Sequence, residues 1–205
     1  MLKEGDMGLL YYYPNRPTLV PPDPKNPLNP QSDYINSLEA SNKYVAGLKW
    51  NGDNCQIFTD DMSFWNRQKA RLKYVPIPEV RAELERFPKG CILNAELMHN
   101  KTKTMKNTFI VHCLMAYKNK PLIGRSWGDS RKILETFKYG SHVRLEELHK
   151  EGFWKLFQWA CESGGELIEG LVLKNPAGLL KLSATPLDDV SWMLKIRKPS
   201  KKYSF

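Results

Sequence analysis

KYVAGLKWNGDNCQIFT, residues 43–59, alternates apolar and polar side chains on both sides of a turn centred on glycine. Period-two alternation marks a half-buried strand. Residues 43–50 therefore predict one strand, Gly52-Asp53-Asn54 a turn, and residues 55–59 the returning strand of a tight hairpin. Val45, Gly47 and Lys49 fall on one face of the first strand; Tyr44, Ala46 and Leu48 fall on the other. Lys49 thus stands on a face cleared by Gly47 and close to Gly52, with room for a phosphate to approach. A lone K-x-x-G is common in solvated turns and by itself decides nothing.

Outward from this stretch the same period recurs. Residues 91–97 (CILNAEL), 108–117 (TFIVHCLMAY), 166–174 and 190–197 predict further strands. Residues 153–163 place Phe153, Leu156, Phe157 and Ala160 at helical spacing, and Gly164-Gly165 ends that helix. Strands with inserted helices predict an antiparallel-rich α+β domain. Seven of the 14 prolines lie in the first 30 residues. They fix φ and remove backbone donors, so residues 1–34 read as an extended arm, which Tyr11-Tyr12-Tyr13 and Leu19-Val20 could pin to the body. Residues 35–198 form the domain, and 199–205 continue a basic tail that begins at Arg197-Lys198.

The length of 205 residues suits one domain able to bury a core without a metal or disulfide staple. With 41% apolar and 26% charged residues, the chain is neither a disordered polymer nor a membrane protein. Thirty-one Lys and Arg against 22 Asp and Glu leave a net charge of +9, which attracts polyanions: nucleic acid first, an anionic membrane second. Cys55, Cys91, Cys113 and Cys161 lack C-x-x-C spacing and read as buried free thiols in a reducing compartment. His99, His112, His142 and His149 lack ligand spacing too. The first residues lack the apolar stretch of a signal peptide, which predicts a chain that stays in the cytoplasm where it is made.

The last predicted strand, WMLKIR at 192–197, places Trp192, Leu194 and Ile196 on a core face and Met193, Lys195 and Arg197 on the other, with two cations side by side. Glu96 lies opposite Leu93, Ala95 and Leu97. Glu169 opens EGLVLK, an acid inside an apolar strand that needs a partner when removed from water. Lys174 falls on the opposite face from Glu169 unless Gly170 introduces a bulge.

Taken in order, Lys49-Trp50-Asn51-Gly52, Glu96 in LNAEL, EGLVLK at 169–174 and WMLKIR at 192–197 resemble the motif set of the covalent nucleotidyltransferases. That superfamily contains ATP-dependent DNA ligases, RNA ligases and mRNA-capping guanylyltransferases. EGLVLK and the segment 108–135, which ends LIGRSWGDSRKILE, are similar to the ligase form. The resemblance implies a ligase-type nucleotidyltransferase domain of antiparallel sheets flanked by helices, using ATP and Mg²⁺. It also implies a lysyl-adenylate at Lys49, transfer of AMP to a 5′-phosphate, and sealing by a 3′-hydroxyl. By the same resemblance Glu169 works at the metal and the nucleophile, Glu96 holds the ribose, and Arg67 contacts ribose or 5′-phosphate. Lys195 and Arg197 would neutralise phosphate charge and disfavour a protonated nucleophile, and Leu48 and Gly52 would border the nucleotide. An aromatic ring against the base would fall at Phe109 or His112, and Trp65 and Trp127 are candidate stacking platforms.

The pattern also departs from E-x-K-x-D-G-x-R, with Gly47, Asn51 and Asn54 at its acid, acid and arginine positions. Gly47 removes a usual base contact, Asn54 is closer to one RNA-ligase subgroup, and Arg197 stands where lysine is usual. The expected partner is a nicked DNA or RNA duplex, DNA slightly favoured, bound by a monomer. A capping guanylyltransferase and a non-catalytic nucleic-acid-binding module remain alternatives. Only Lys198–Phe205 follow the last motif, which reads as a minimal ligase core or a chain lacking the usual oligonucleotide-binding barrel. Such compactness suggests a phage or mobile-element origin.

Overall fold

A computed structural model describes residues 13–20, 22–23, 25–30 and 32–199. Tyr11, Tyr12, Pro21, Pro24 and the tail from Ser200 to Phe205 lie outside the described residues. In chain order the elements are β1 (Arg16–Leu19), β2 (Pro22–Asp23), β3 (Asn26–Pro30), α1 (Ser32–Ala40), β4 (Val45–Trp50), β5 (Asp53–Phe58), β6 (Ser63–Asn66), α2 (Pro78–Leu84), β7 (Ile92–Met98), β8 (Thr108–Tyr117), β9 (Lys120–Pro121), α3 (Trp127–Glu135), β10 (Val143–Leu145), α4 (Phe153–Glu162), β11 (Ile168–Lys174) and β12 (Asp189–Arg197).

Two sheets hold most of these strands, and β2 pairs with β3 in a separate two-stranded sheet. The smaller of the two main sheets runs β1-β12-β11-β4 and the larger β10-β8-β7-β5-β6, with β9 paired to β8. Most pairs are antiparallel, as alternation and short connections predict; β1 on β12 and β10 on β8 are parallel. In the larger sheet Leu93, Ala95, Leu97, Phe109 and Val111 enter a core shared with Val80 and Leu84 of α2 and Leu134 of α3. In the smaller sheet Ala46, Leu171, Leu173, Leu194 and Ile196 enter a second core with Ile35 of α1 and Phe153 and Phe157 of α4. Each large apolar side chain so buried contributes about 1.5–3 kcal/mol. Glu39 of α1 joins the two helices, accepting the backbone N–H groups of Gly152 (2.7 Å) and Phe153 (2.8 Å) at the start of α4. These donors have no partner within the helix, so an acidic side chain completes its first turn.

Several expectations are corrected here. Residues 43–59 do not form a hairpin: β4 pairs with β11 in one sheet and β5 with β7 and β6 in the other. The chain crosses between sheets at Asn51-Gly52, where Asn51 N–H donates to Leu167 O at 2.8 Å. A Cβ on Gly52 would lie 2.6 Å from Leu97 O, so glycine permits this close crossing. Trp192 does not share the core of Leu194 and Ile196. The register of β12 against β1 skips from Val190 to Leu194, and Trp192 joins Met193 in the larger core. Cys161 is exposed, because the buried stripe of α4 is Phe153, Phe157 and Ala160. Helix α1 begins at Ser32, so the boundary expected at residue 34 falls inside it. Among the described residues no helix is long and apolar enough to cross a membrane.

Buried Glu83 on α2 fixes the approach to β10. Its carboxylate accepts the backbone N–H groups of Ser141 (2.9 Å), His142 (3.0 Å) and Val143 (2.6 Å). Hydrogen bonds to a charged group contribute more than neutral ones, and donors left buried without acceptors are costly. Glu83→Ala is expected to lower stability by about 2–4 kcal/mol, read as a reduced midpoint in urea unfolding.

Candidate active site

The two sheets turn their apolar faces to helices and leave their polar faces toward each other. Between them lies a cavity of about 490 Å³. Lys49, Val172, Lys174, Lys195 and Arg197 of the smaller sheet form one wall, and Asn54, Asn94, Glu96 and His112 of the larger form the other.

A bulge re-aims a side chain in each wall. In β11 the register against β4 passes from Ile168↔Trp50 directly to Gly170↔Lys49, leaving Glu169 as an extra residue. Gly170 adopts φ +142°, and a Cβ there would collide with Ile196 O. Simple alternation would align Glu169 with Leu171 and Leu173 in the core; the bulge moves it beside Lys49, with which it forms an ion pair. Lys174 lies on the cleft side with Val172 by plain alternation, so the bulge at Gly170 that the sequence left open is present and brings Glu169 round to their face. In β8 the register passes from Ala95↔Val111 to Asn94↔Cys113, and His112 is the extra residue. Its carbonyl accepts the Trp127 indole N–H at 3.1 Å.

Burial and charge set the electrostatics. Burial pushes the Glu96 carboxyl up to about 7, and Glu169 adds to this; Lys49, Lys101 and the Gly52 N–H, which donates to Glu96 Oε1 at 3.1 Å, work against it. Burial, then Lys174 and Arg67, holds the His112 imidazole well below its usual range, so it is neutral. Burial pulls Lys195 down to about 8; Asp189 opposes this, while Arg16, Arg197 and Lys49 add to it.

The structure brings Lys49, Glu96, Glu169, His112, Arg67, Lys195 and Arg197 to one cleft. Leu48 packs against the smaller core and also lines the cavity. Gly52 stands outside the lining and reaches the site through Glu96. Of the two ring positions, Phe109 is buried and stacked on Phe64 at 5.5 Å, whereas His112 faces the cavity. Trp127 is not an open stacking platform: it is buried, 6.5 Å from Trp192. Trp65 stands edge-on to Phe58 at 6.3 Å. Sequence reasoning missed Glu146, Asn94 and Arg16. Glu146 pairs with Lys174, the Asn94 side-chain carbonyl accepts the Asn54 amide at 3.0 Å, and Arg16 pairs with Asp189. The one usable signal was Gly47: a Cβ at that position would overlap Glu146 Oε1.

The cleft suits a nucleotide on its own chemistry. Cations flank a lysine, and Trp192, on its wall, has a buried indole N–H without an acceptor among the described residues. Among the described residues no three His, Cys, Asp or Glu side chains converge as metal ligands. A Mg²⁺ ion that takes its ligands mainly from phosphates and water, with one carboxylate from Glu169, fits this arrangement.

No family model matches the sequence, and no curated protein matches it. Solved structures do. A mycobacterial DNA ligase D complexed with ATP and MES is 16% identical, with TM-score 0.60, over 91% of this chain and 60% of that one. The ligase domain of LigD from M. tuberculosis is 17% identical, with TM-score 0.56, over 75% and 53%. An archaeal ATP-dependent RNA ligase is 14% identical, with TM-score 0.55, over 96% and 51%. The chain spans a little over half the length of these proteins. Its fold is that of the ligase nucleotidyltransferase domain.

Lys195 yields a pH prediction independent of any substrate. A lysine at about 8 is charged below that pH and neutral above it. Calorimetric affinity for tripolyphosphate should therefore fall as pH rises through 8. Lys195→Arg, which stays charged, should flatten that fall.

Proposed function

We propose that this chain is the catalytic core of an ATP-dependent polynucleotide ligase that seals 5′-phosphate/3′-hydroxyl nicks, with DNA slightly favoured over RNA. The observation that carries it is Lys49, paired with Glu169, in the wall of a cleft also lined by Lys195, Arg197 and Glu96, on a ligase fold.

In the first step the Lys49 amine attacks the α-phosphorus of ATP. A P–N bond forms, the P–O bond to pyrophosphate breaks, and Glu169 is placed to take the proton the amine releases. Lys195 and Arg197 hold charge developing on the phosphates. Mg²⁺ held by Glu169 and the phosphates would add to that neutralisation. Glu96, partly protonated near neutral pH, can accept from or donate to a ribose hydroxyl. A 5′-phosphate oxygen next attacks the same phosphorus and the P–N bond breaks, restoring the lysine. The 3′-hydroxyl then attacks the 5′-phosphate and expels AMP. The net charge of +9 supplies attraction to the duplex.

Incubation with Mg²⁺ and α-labelled ATP should label the protein covalently, and Lys49→Ala should abolish the band on a denaturing gel. A stronger band from GTP would favour a capping enzyme instead; no band from either nucleotide would overturn the proposal. With unlabelled ATP, nicked DNA should be sealed faster than nicked RNA. Duplex affinity should fall by roughly a hundredfold or more between 50 and 200 mM salt.

A further inference from the structure

Glu146 has no part in the chemistry above, yet it is among the most buried acids of the molecule and lines the cleft. Its backbone is fixed from both sides. Glu146 N–H donates to Val111 O of the larger sheet at 2.9 Å, and three residues later His149 exchanges two 2.8 Å hydrogen bonds with Ala46 of the smaller one. The side chain therefore comes to rest beside Gly47. Its Cδ would stand 2.8 Å from a Cβ at that position, so the carboxyl fills the space that glycine leaves.

The other carboxyl oxygen pairs with Lys174, and both side chains are only 4% exposed. Lys174 also lies 5.2 Å over the Trp127 ring. A buried ion pair gains little stability over apolar residues of the same volume. In a ligand cleft, however, it presents a fixed acceptor and a fixed donor side by side.

Position fixes what meets that pair. Gly47 and Lys49 share a strand face two residues apart, about 7 Å, which is comparable with the reach of a ribose. A nucleotide with its α-phosphate at Lys49 and its sugar along the strand places its base against Glu146 and Lys174. Adenine offers an amino donor at C6 next to the N1 acceptor, matching carboxylate and ammonium in that order. Guanine in the same pose turns its 6-oxo group toward the carboxylate.

We infer that Glu146 is the base-reading residue of this cleft, its carboxylate accepting a hydrogen bond from the 6-amino group of adenine while Lys174 donates to N1. The inference rests on the nucleotide-binding reading of the site, and its test separates the two. The probes are ATP, GTP and purine riboside triphosphate, which lacks only the 6-amino group. Their affinities are measured by calorimetry and thermal shift, beside covalent labelling at Lys49. The wild-type protein should bind ATP roughly 10- to 100-fold more tightly than the 6-deamino analogue. Glu146→Ala/Lys174→Met, which removes both charges and leaves neither buried alone, should stay folded and bind the two equally. Equal binding by the wild-type protein, or preference for GTP, overturns the inference even if Lys49 is labelled. Discrimination that survives in the double variant overturns it as well. If ATP is preferred in binding but Lys49 is never labelled, base reading stands and the ligase proposal falls. If no nucleotide binds, both fall.

Discussion

Two backbone hydrogen bonds between Ala46 and His149 hold one sheet against the other, and the geometry of the cleft depends on them. The segment 143–149 begins as β10, paired to β8 in the larger sheet, and ends against β4 in the smaller. A backbone tie of this kind sets the distance between two polar faces that apolar packing alone would not hold apart. Glu83 anchors the start of the same segment through three backbone N–H groups, so a carboxylate remote from the cleft sets its width.

The cleft balances charge locally. Lys49 pairs with Glu169, Lys174 with Glu146, and Arg16 with Asp189. Each carboxylate lowers the cost of holding a cation partly out of water. Burial and three neighbouring cations outweigh Asp189 at Lys195 and weaken its charge. A polyanion entering the cleft would offset that repulsion.

Strands β7, β8, β11 and β12 and helix α4 were legible because one face of each is buried, and burial writes its period into the residue types. Lys49, Glu96, Glu169, Lys195 and Arg197 stood out singly only as polar residues in apolar strands, and became a candidate site through the resemblance of their ordered motifs to the nucleotidyltransferase set. What escaped was register. A turn signal such as Gly52-Asp53-Asn54 says that the chain bends, not which sheet it enters, and the supposed hairpin is a crossover. The bulges at Glu169 and His112 follow from pairing with distant strands and leave no local mark except Gly170. Glu146 escaped because its meaning lies in Gly47, a hundred residues earlier; the glycine read as a lost side chain, whereas its space is filled by the carboxylate that follows β10. Helix α1 carries only one fully buried residue, Ile35, too faint a stripe to read.

The smaller sheet draws its outer strands from the beginning of the chain and its inner strands from the end. Thr18 and Val190, joined across β1 and β12, are 172 residues apart in sequence. Pairings this distant in sequence slow folding, because loop closure must precede any gain from contact. During synthesis β1 and β4 emerge long before the strands that lie between them. Lys49 therefore waits for Glu169, its ion-pair partner 120 residues further along the chain.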